Sequence, residues 1–279
     1  SATAGGTNRA SGAVTIKSLC HEERKGHPCP SILGFENYML NAVGLPGQGI
    51  DNAIIDFKQL DDCSVPIIAS IYGYTEEQFG EVAKKAAILK PAMIEVNISC
   101  PHMKSFVKPF YADAESIKTI TRIVKQNSNN IPVSIKLSPN VHNIAELAKA
   151  AESAGADAIT AINTLFGMYI DLETHTPVLG NKTGGMSGPA IKPLAVKCVY
   201  DIYKAVKIPI IGTGGVTTGK DAIEMIMAGA TAVGIGTAVY YHGTKVFKKI
   251  CSEMEDWLTV HNYSSLDQIR GIAHSEQSK

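Results

Sequence analysis

Pro209-Ile210-Ile211-Gly212-Thr213-Gly214-Gly215 and Ala232-Val233-Gly234-Ile235-Gly236-Thr237 flank a segment, Asp221 to Ala228, whose apolar residues recur at helical spacing. Gly229 follows it where a C-cap glycine belongs. A β-branched run, a helix and a second β-branched run make a βαβ unit, which sets two strands side by side and parallel. The same alternation extends through the rest of the chain. Further runs are 12–18, 65–71, 93–98, 132–137 and 158–163, and their mostly continuous apolar character predicts parallel strands covered on both faces. Helices are expected over Glu76 to Leu89 with Thr75 as N-cap, Ile144 to Ala154 before Gly155, and Ile191 to Val206.

Seven strands are therefore legible, and Ser1 to Gly6 reads as the polar exit of an eighth. Eight would close a (β/α)₈ TIM barrel, an α/β fold expected here as one domain over residues 1–279. Thr7 to Ser11 is too short for a crossover helix, which takes about a dozen residues. A gap near Thr7 to Ala10 and a missing first strand are expected. Two connections, Leu19 to Ser64 and Thr164 to Ala190, are unusually long and leave strand C-termini, where barrel active sites lie.

Composition narrows the function. Among 279 residues, 45% are hydrophobic and 19% charged, and 26 basic side chains balance 26 acidic ones. A net charge of zero provides no global field for nucleic acid or an anionic membrane. No apolar run reaches the ~18 residues of a spanning helix, and residues 1–9 hold no signal-peptide core. Six scattered cysteines without C-x-x-C spacing point to a reducing cytoplasm, and no metal site is legible in them. His21 and His27, beside Glu22 and Glu23, suit a metal site on paper, but a solvated loop is the simpler reading.

The strand ends hold the chemistry. Lys17, Asn97, Lys136 and Asn163 each close a proposed strand, so a barrel would aim all four into one bowl. A buried lysine charge is costly, and an apolar core gains nothing from it. Gly212 to Gly215 and Gly234 to Thr237 end the last two strands, where barrels place phosphate sites built from exposed backbone N–H groups. Thr183-Gly184-Gly185-Met186-Ser187-Gly188 is expected to be a flexible loop able to approach a flat ligand. Cys100 follows the Asn97 strand directly and could serve as a nucleophile or general base.

These motifs, Asn97-Ile98-Ser99-Cys100-Pro101, Asn163 to Met168, Gly184 to Pro193 and Ile211 to Gly215, resemble the soluble, cysteine-dependent class of the dihydroorotate dehydrogenase family. The resemblance runs from Ser1 to Tyr240 and implies oxidation of dihydroorotate to orotate with bound FMN, in pyrimidine biosynthesis. It implies that Cys100 is the catalytic base and that Lys136 stands beside the flavin ring. Lys17, Asn41, Asn97, Asn163 and Thr164 match the substrate contacts, and Gly44 and Leu45 belong to a loop that offers backbone groups to the substrate carboxylate. Ser1, Lys17, Ser18, Asn97, Ile162, Gly185, Ser187, Gly188, Gly214, Gly215, Gly236 and Thr237 match the flavin and phosphate surroundings.

Two departures stand out. His102 replaces the family's usual Asn after the Ser-Cys-Pro motif, and Met103 to Tyr111 lacks the glycine-containing loop of the NAD-linked subclass. Residues 163–193 nevertheless resemble that subclass most. Its members pair with an iron–sulfur and FAD subunit that passes electrons to NAD; a homo-oligomer is also expected. The competing readings are an FMN-dependent oxidoreductase of another dihydropyrimidine and a flavin-free, phosphate-binding barrel.

Overall fold

The computed structural model describes residues 11–57, 63–99 and 109–275. The Ser1 to Gly6 stub, the expected gap at Thr7 to Ala10, Cys100 and His102 lie outside them. The seven expected runs are all strands: β1 (Val14–Thr15), β2 (Ile67–Ile71), β3 (Met93–Asn97), β4 (Val133–Leu137), β5 (Ala158–Ala161), β6 (Ile210–Thr213) and β7 (Ala232–Gly234). Neighbours in sequence are neighbours in the sheet, and every pair is parallel. The sheet curls as an α/β TIM barrel, open between β7 and β1 among the described residues.

Helices α1 (Ile50–Phe57), α2 (Glu76–Ala86), α3 (Ala114–Asn127), α4 (Ile144–Ser153), α5 (Lys192–Ala205) and α6 (Gly219–Ala228) fill the crossovers. The short α7 (Thr237–His242) and the longer α8 (Val246–Val260) follow the last strand. Their starts are chemically marked. Thr75, Asp113 and Asn143 each accept a backbone N–H of the first turn, satisfying a donor that the helix itself leaves unpaired. Gly155 and Gly229 end α4 and α6 at φ of 95° and 121°, conformations that suit residues without a Cβ. No described helix is long and apolar enough to cross a membrane.

Register separates two faces of each strand. Ala69, Ile71, Ile94, Val96, Val133, Ile135, Leu137 and Ile159 are buried apolar residues of one parity. The opposite parity aligns Ser70 with Glu95, Glu95 with Ser134, and Lys136 with Thr160. Strands buried on both faces are present as expected, but one of those faces is polar near its centre. The Ser134 and Thr160 hydroxyls lie 2.9 Å apart, as do those of Ser18 and Ser70, so the buried oxygens find partners.

The two long connections build a second sheet. It is antiparallel, in the order Leu165–Met168, Thr183–Ser187, Met39–Asn41, Ile32–Gly34. Thr183 to Ser187 is consequently a central strand of this sheet and not a flexible loop. A Cβ on Gly184 would fall 2.5 Å from the Asn41 carbonyl oxygen, and one on Gly185 would collide with Thr164. Those glycines serve close approach between strands, which in sequence looks the same as flexibility.

At the start of α6, Thr218 and Asp221 form a reciprocal capping box. The Asp221 carboxylate also accepts the Thr217 N–H at 3.0 Å and Lys192 Nζ at 2.8 Å. Burial by itself would raise its pKa, but Lys192 and the Thr217 and Thr218 donors bring it down to about 2. A depressed carboxylate stabilises the fold above its unfolded pKa of about 3.9 and loses that contribution as pH falls toward the folded value. Asp221→Asn should therefore lower the urea midpoint at neutral pH, with the difference from wild type narrowing from pH ~4 toward pH 2. A difference that stays constant across that range would contradict the role.

Candidate active site

The C-terminal ends of β3, β4 and β5 meet side by side. Asn97 aligns with Lys136 in register, and both belong to the parity of Glu95 and Ser134. Glu95 is only 4% exposed, and its Oε1 lies 3.3 Å from Lys136 Nζ. A carboxylate removed from water needs a counter-charge, so this pair holds the lysine head at the base of the bowl.

Above it, Asn163 Nδ2 donates to Asn97 Oδ1 at 3.2 Å, while its own Oδ1 accepts the Thr164 N–H at 2.8 Å. Asn97 Oδ1 also accepts the Ser99 N–H at 3.2 Å. Asn140 fastens the next turn: its Nδ2 donates to Ser138 Oγ and to the Thr164 carbonyl, each at 2.9 Å, and its Oδ1 accepts the Phe166 N–H. These amides join the barrel rim to Leu165–Met168, the first strand of the antiparallel second sheet, hereafter the cap.

Barrel and cap enclose a cavity of about 380 Å³. Lys136, Ile162, Asn163, Thr164 and Asn41 line one part of it; Ser187, Gly188, Gly214, Gly215, Gly236 and Thr237 line another. Gly215 has a φ of 75°, and a Cβ there would lie 2.7 Å from Lys192 Cβ. A Cβ at Gly236 would meet no atom within 4 Å. Thr237 donates to Ser187 Oγ at 2.8 Å and joins the β7 turn to the cap.

The remaining candidates stand apart from this wall. Asn97 reaches it through Asn163. Gly185 lies behind it, packed on Thr164 and paired in register with Asn41, whose Nδ2 donates to the Gly185 carbonyl at 3.3 Å. Lys17 and Ser18 follow β1. Partial burial holds the Lys17 ammonium below the usual lysine range, with the Cys20 thiol opposing that shift. Gly44 and Leu45 form a turn with φ of 77° and 53°. Ser1 and Cys100 lie outside the described residues. His27 has a structural partner, its Nδ1 lying 3.1 Å from the Ala42 carbonyl, and His21 pairs with Glu81 at 3.0 Å.

Glu95 and Asn140 were not among the sequence candidates. A charged residue inside the apolar run Met93 to Ile98, two positions before Asn97 and so on its face, was the available signal for Glu95. Asn140 offered none, because the Thr164 and Phe166 groups that it fastens come from a distant turn.

The sequence profile of the dihydroorotate dehydrogenase family matches residues 2–258. Among the similar proteins, several carry the name dihydroorotate dehydrogenase B (NAD(+)), catalytic subunit. That of Methanosarcina mazei is 44% identical over 265 residues, 94% of this chain and 83% of the relative. That of Methanocaldococcus jannaschii is 44% identical over 267 residues, covering 94% and 86%. That of Geobacter sp. strain M21 is 45% identical over 263 residues, covering 93% and 85%.

Asn140→Ala should destabilise the protein by roughly 1–3 kcal/mol, since it leaves the Thr164 carbonyl and the Phe166 N–H without their partner. Urea unfolding measures this; an unchanged midpoint would show that water replaces the amide without cost.

Proposed function

The chain belongs to the dihydroorotate dehydrogenase family, and from that membership we propose that it is the FMN-binding catalytic subunit of a two-component, NAD-linked enzyme. It oxidises dihydroorotate to orotate, a step of pyrimidine biosynthesis. The observation that carries the FMN reading is the junction, around one cavity, of a lysine head, an amide-lined rim and two glycine turns, of which the one at Gly214 and Gly215 admits no side chain.

The cavity fits the cofactor's chemistry. Gly214 and Gly215 offer backbone close to the cavity where a Cβ would collide with Ala195 or Lys192, as suits a phosphate-bearing tail. Lys136 brings positive charge to the other end, where an electron-rich ring gains most from it. FMN bound there would supply the hydride acceptor.

The chain's own residues do the rest. Asn163, Thr164 and Asn41 provide directional donors and acceptors for an amide-rich ring, and the interlocked Asn97–Asn163 pair limits their rotation. Lys17 provides charge for the substrate carboxylate. Cys100, immediately after Ser99, acts in this reading as the base that takes the proton α to the ring carbonyl, and a hydride leaves the adjacent carbon. The reading places the chain in a reducing cytoplasm, as its scattered cysteines without C-x-x-C spacing suggest. Phe166, Met168, Ile170 and Leu172 keep apolar side chains in solvent along the cap, a surface suited to a subunit contact. The reading includes an iron–sulfur and FAD partner subunit and a homo-oligomer of the catalytic chain.

An anaerobic visible spectrum tests the core of this reading. Flavin bands that bleach on adding dihydroorotate are expected; a protein without flavin after FMN is supplied would overturn it. Cys100→Ser should retain flavin yet lose most turnover at neutral pH, because a serine hydroxyl is a far weaker base. Full turnover in that variant would remove Cys100 from the mechanism.

A further inference from the structure

The loop from Asn41 to Leu45 is backed by a strap that does not touch the cavity. Glu23–Arg24 runs antiparallel to Gly47–Gln48, which lays residues 24–27 along the back of the loop. Four consecutive loop carbonyls are taken by donors. His27 Nδ1 lies 3.1 Å from the Ala42 oxygen, and the His27 backbone N–H donates to Val43 at 3.1 Å. Arg24 Nε donates to Gly44 at 3.3 Å, and the Tyr72 hydroxyl donates to Leu45 at 2.9 Å.

Peptide geometry makes these bonds directional. In a planar trans peptide the N–H points opposite to the C=O that precedes it. Fixing the carbonyls of residues 42, 43 and 44 against the strap therefore turns the N–H groups of Val43, Gly44 and Leu45 away from it. Those three N–H groups donate to no acceptor among the described residues. Pro46 has no N–H, so the bond from Tyr72 anchors the end of the loop without orienting a further donor. Close packing supports the arrangement: a Cβ on Gly44 would lie 2.7 Å from the His27 ring, and one on Gly26 would lie 2.5 Å from the Val43 oxygen. Arg24 is itself steadied over the Tyr74 ring, 5.0 Å from its centroid. Burial pushes the pKa of the Tyr72 phenol up, which favours the hydroxyl form that donates.

We infer that Arg24, His27 and Tyr72 are positioning residues that lock this loop with three backbone N–H groups presented to the substrate carboxylate, and thereby set the preference for a pyrimidine bearing that group. The inference rests on the assignment of dihydroorotate as substrate. None of the three residues lines the cavity; each acts through a main-chain carbonyl. Their contribution is preorganisation, which lowers the ordering cost of binding without changing the chemistry.

Tyr72→Phe and Arg24→Met each remove one donor and keep most of the side-chain volume. With the flavin-loaded protein, titration of orotate and of uracil, which lacks the carboxylate, measures the selectivity. Each variant should weaken orotate binding and raise KM for dihydroorotate by about fivefold, the scale of one lost hydrogen bond, with kcat within about twofold. Uracil affinity and flavin content should stay as in wild type. Equal losses for orotate and uracil, or unchanged orotate binding, would overturn the positioning role. Failure of the wild-type protein to bind orotate at all would overturn the substrate assignment and this inference together.

Discussion

A carboxylate inside the barrel sets the terms for the site. Glu95 sits between the apolar residues Ile94 and Val96 and is almost wholly out of water, so the fold must bring a cation to it. That cation is Lys136, from the neighbouring strand. Breaking such a pair by removing one partner leaves a charge stranded in low dielectric, typically the more damaging outcome. The register that joins them also aligns Asn97 with Lys136, and Asn97 in turn holds Asn163. One electrostatic requirement at the bottom of the bowl thus fixes the relative height of three strands and the position of the amides above.

The second constraint is closeness. Glycines stand where a Cβ would collide: Gly184 against the Asn41 backbone within the second sheet, Gly185 against the Thr164 side chain, and Gly215 against Lys192 at the start of α5. The cavity between the layers owes its shape to those approaches as much as to the side chains that line it. From below, Asp221 and Lys192 hold the turn after β6, so the glycine-bearing wall is braced by an ion pair that never enters the cavity.

Much of this was legible beforehand. All seven parallel strands, the capped start of α2, the glycine ends of α4 and α6, and the residues Lys136, Asn163, Gly214, Gly215 and Thr237 around the cavity follow from local pattern, because strand ends in a barrel converge by geometry; Thr164 came from the family resemblance. The cap sheet was not legible. Its strands are short, one is glycine-rich, and their partners lie far apart in sequence, as with Asn41 and Gly185. Hydrophobic period cannot report a pairing whose reason is the partner strand. The polar interior was hidden for a related cause: Ser70, Ser134 and Thr160 read as ordinary interruptions of apolar runs until register shows them facing one another.

By itself, then, the sequence determined the fold class, the family and the residue types available to the chemistry, since periodicity, capping and strand-end motifs are local properties of the chain. Only the tertiary structure decided which of those residues meet. Lys136 with Glu95, Asn140 with the Thr164 turn, and Arg24, His27 and Tyr72 behind the 41–45 loop are all contacts between segments distant in sequence. Their physical basis is desolvation: each buried polar group must find a partner, and which partner is within reach depends on how the strands and loops pack.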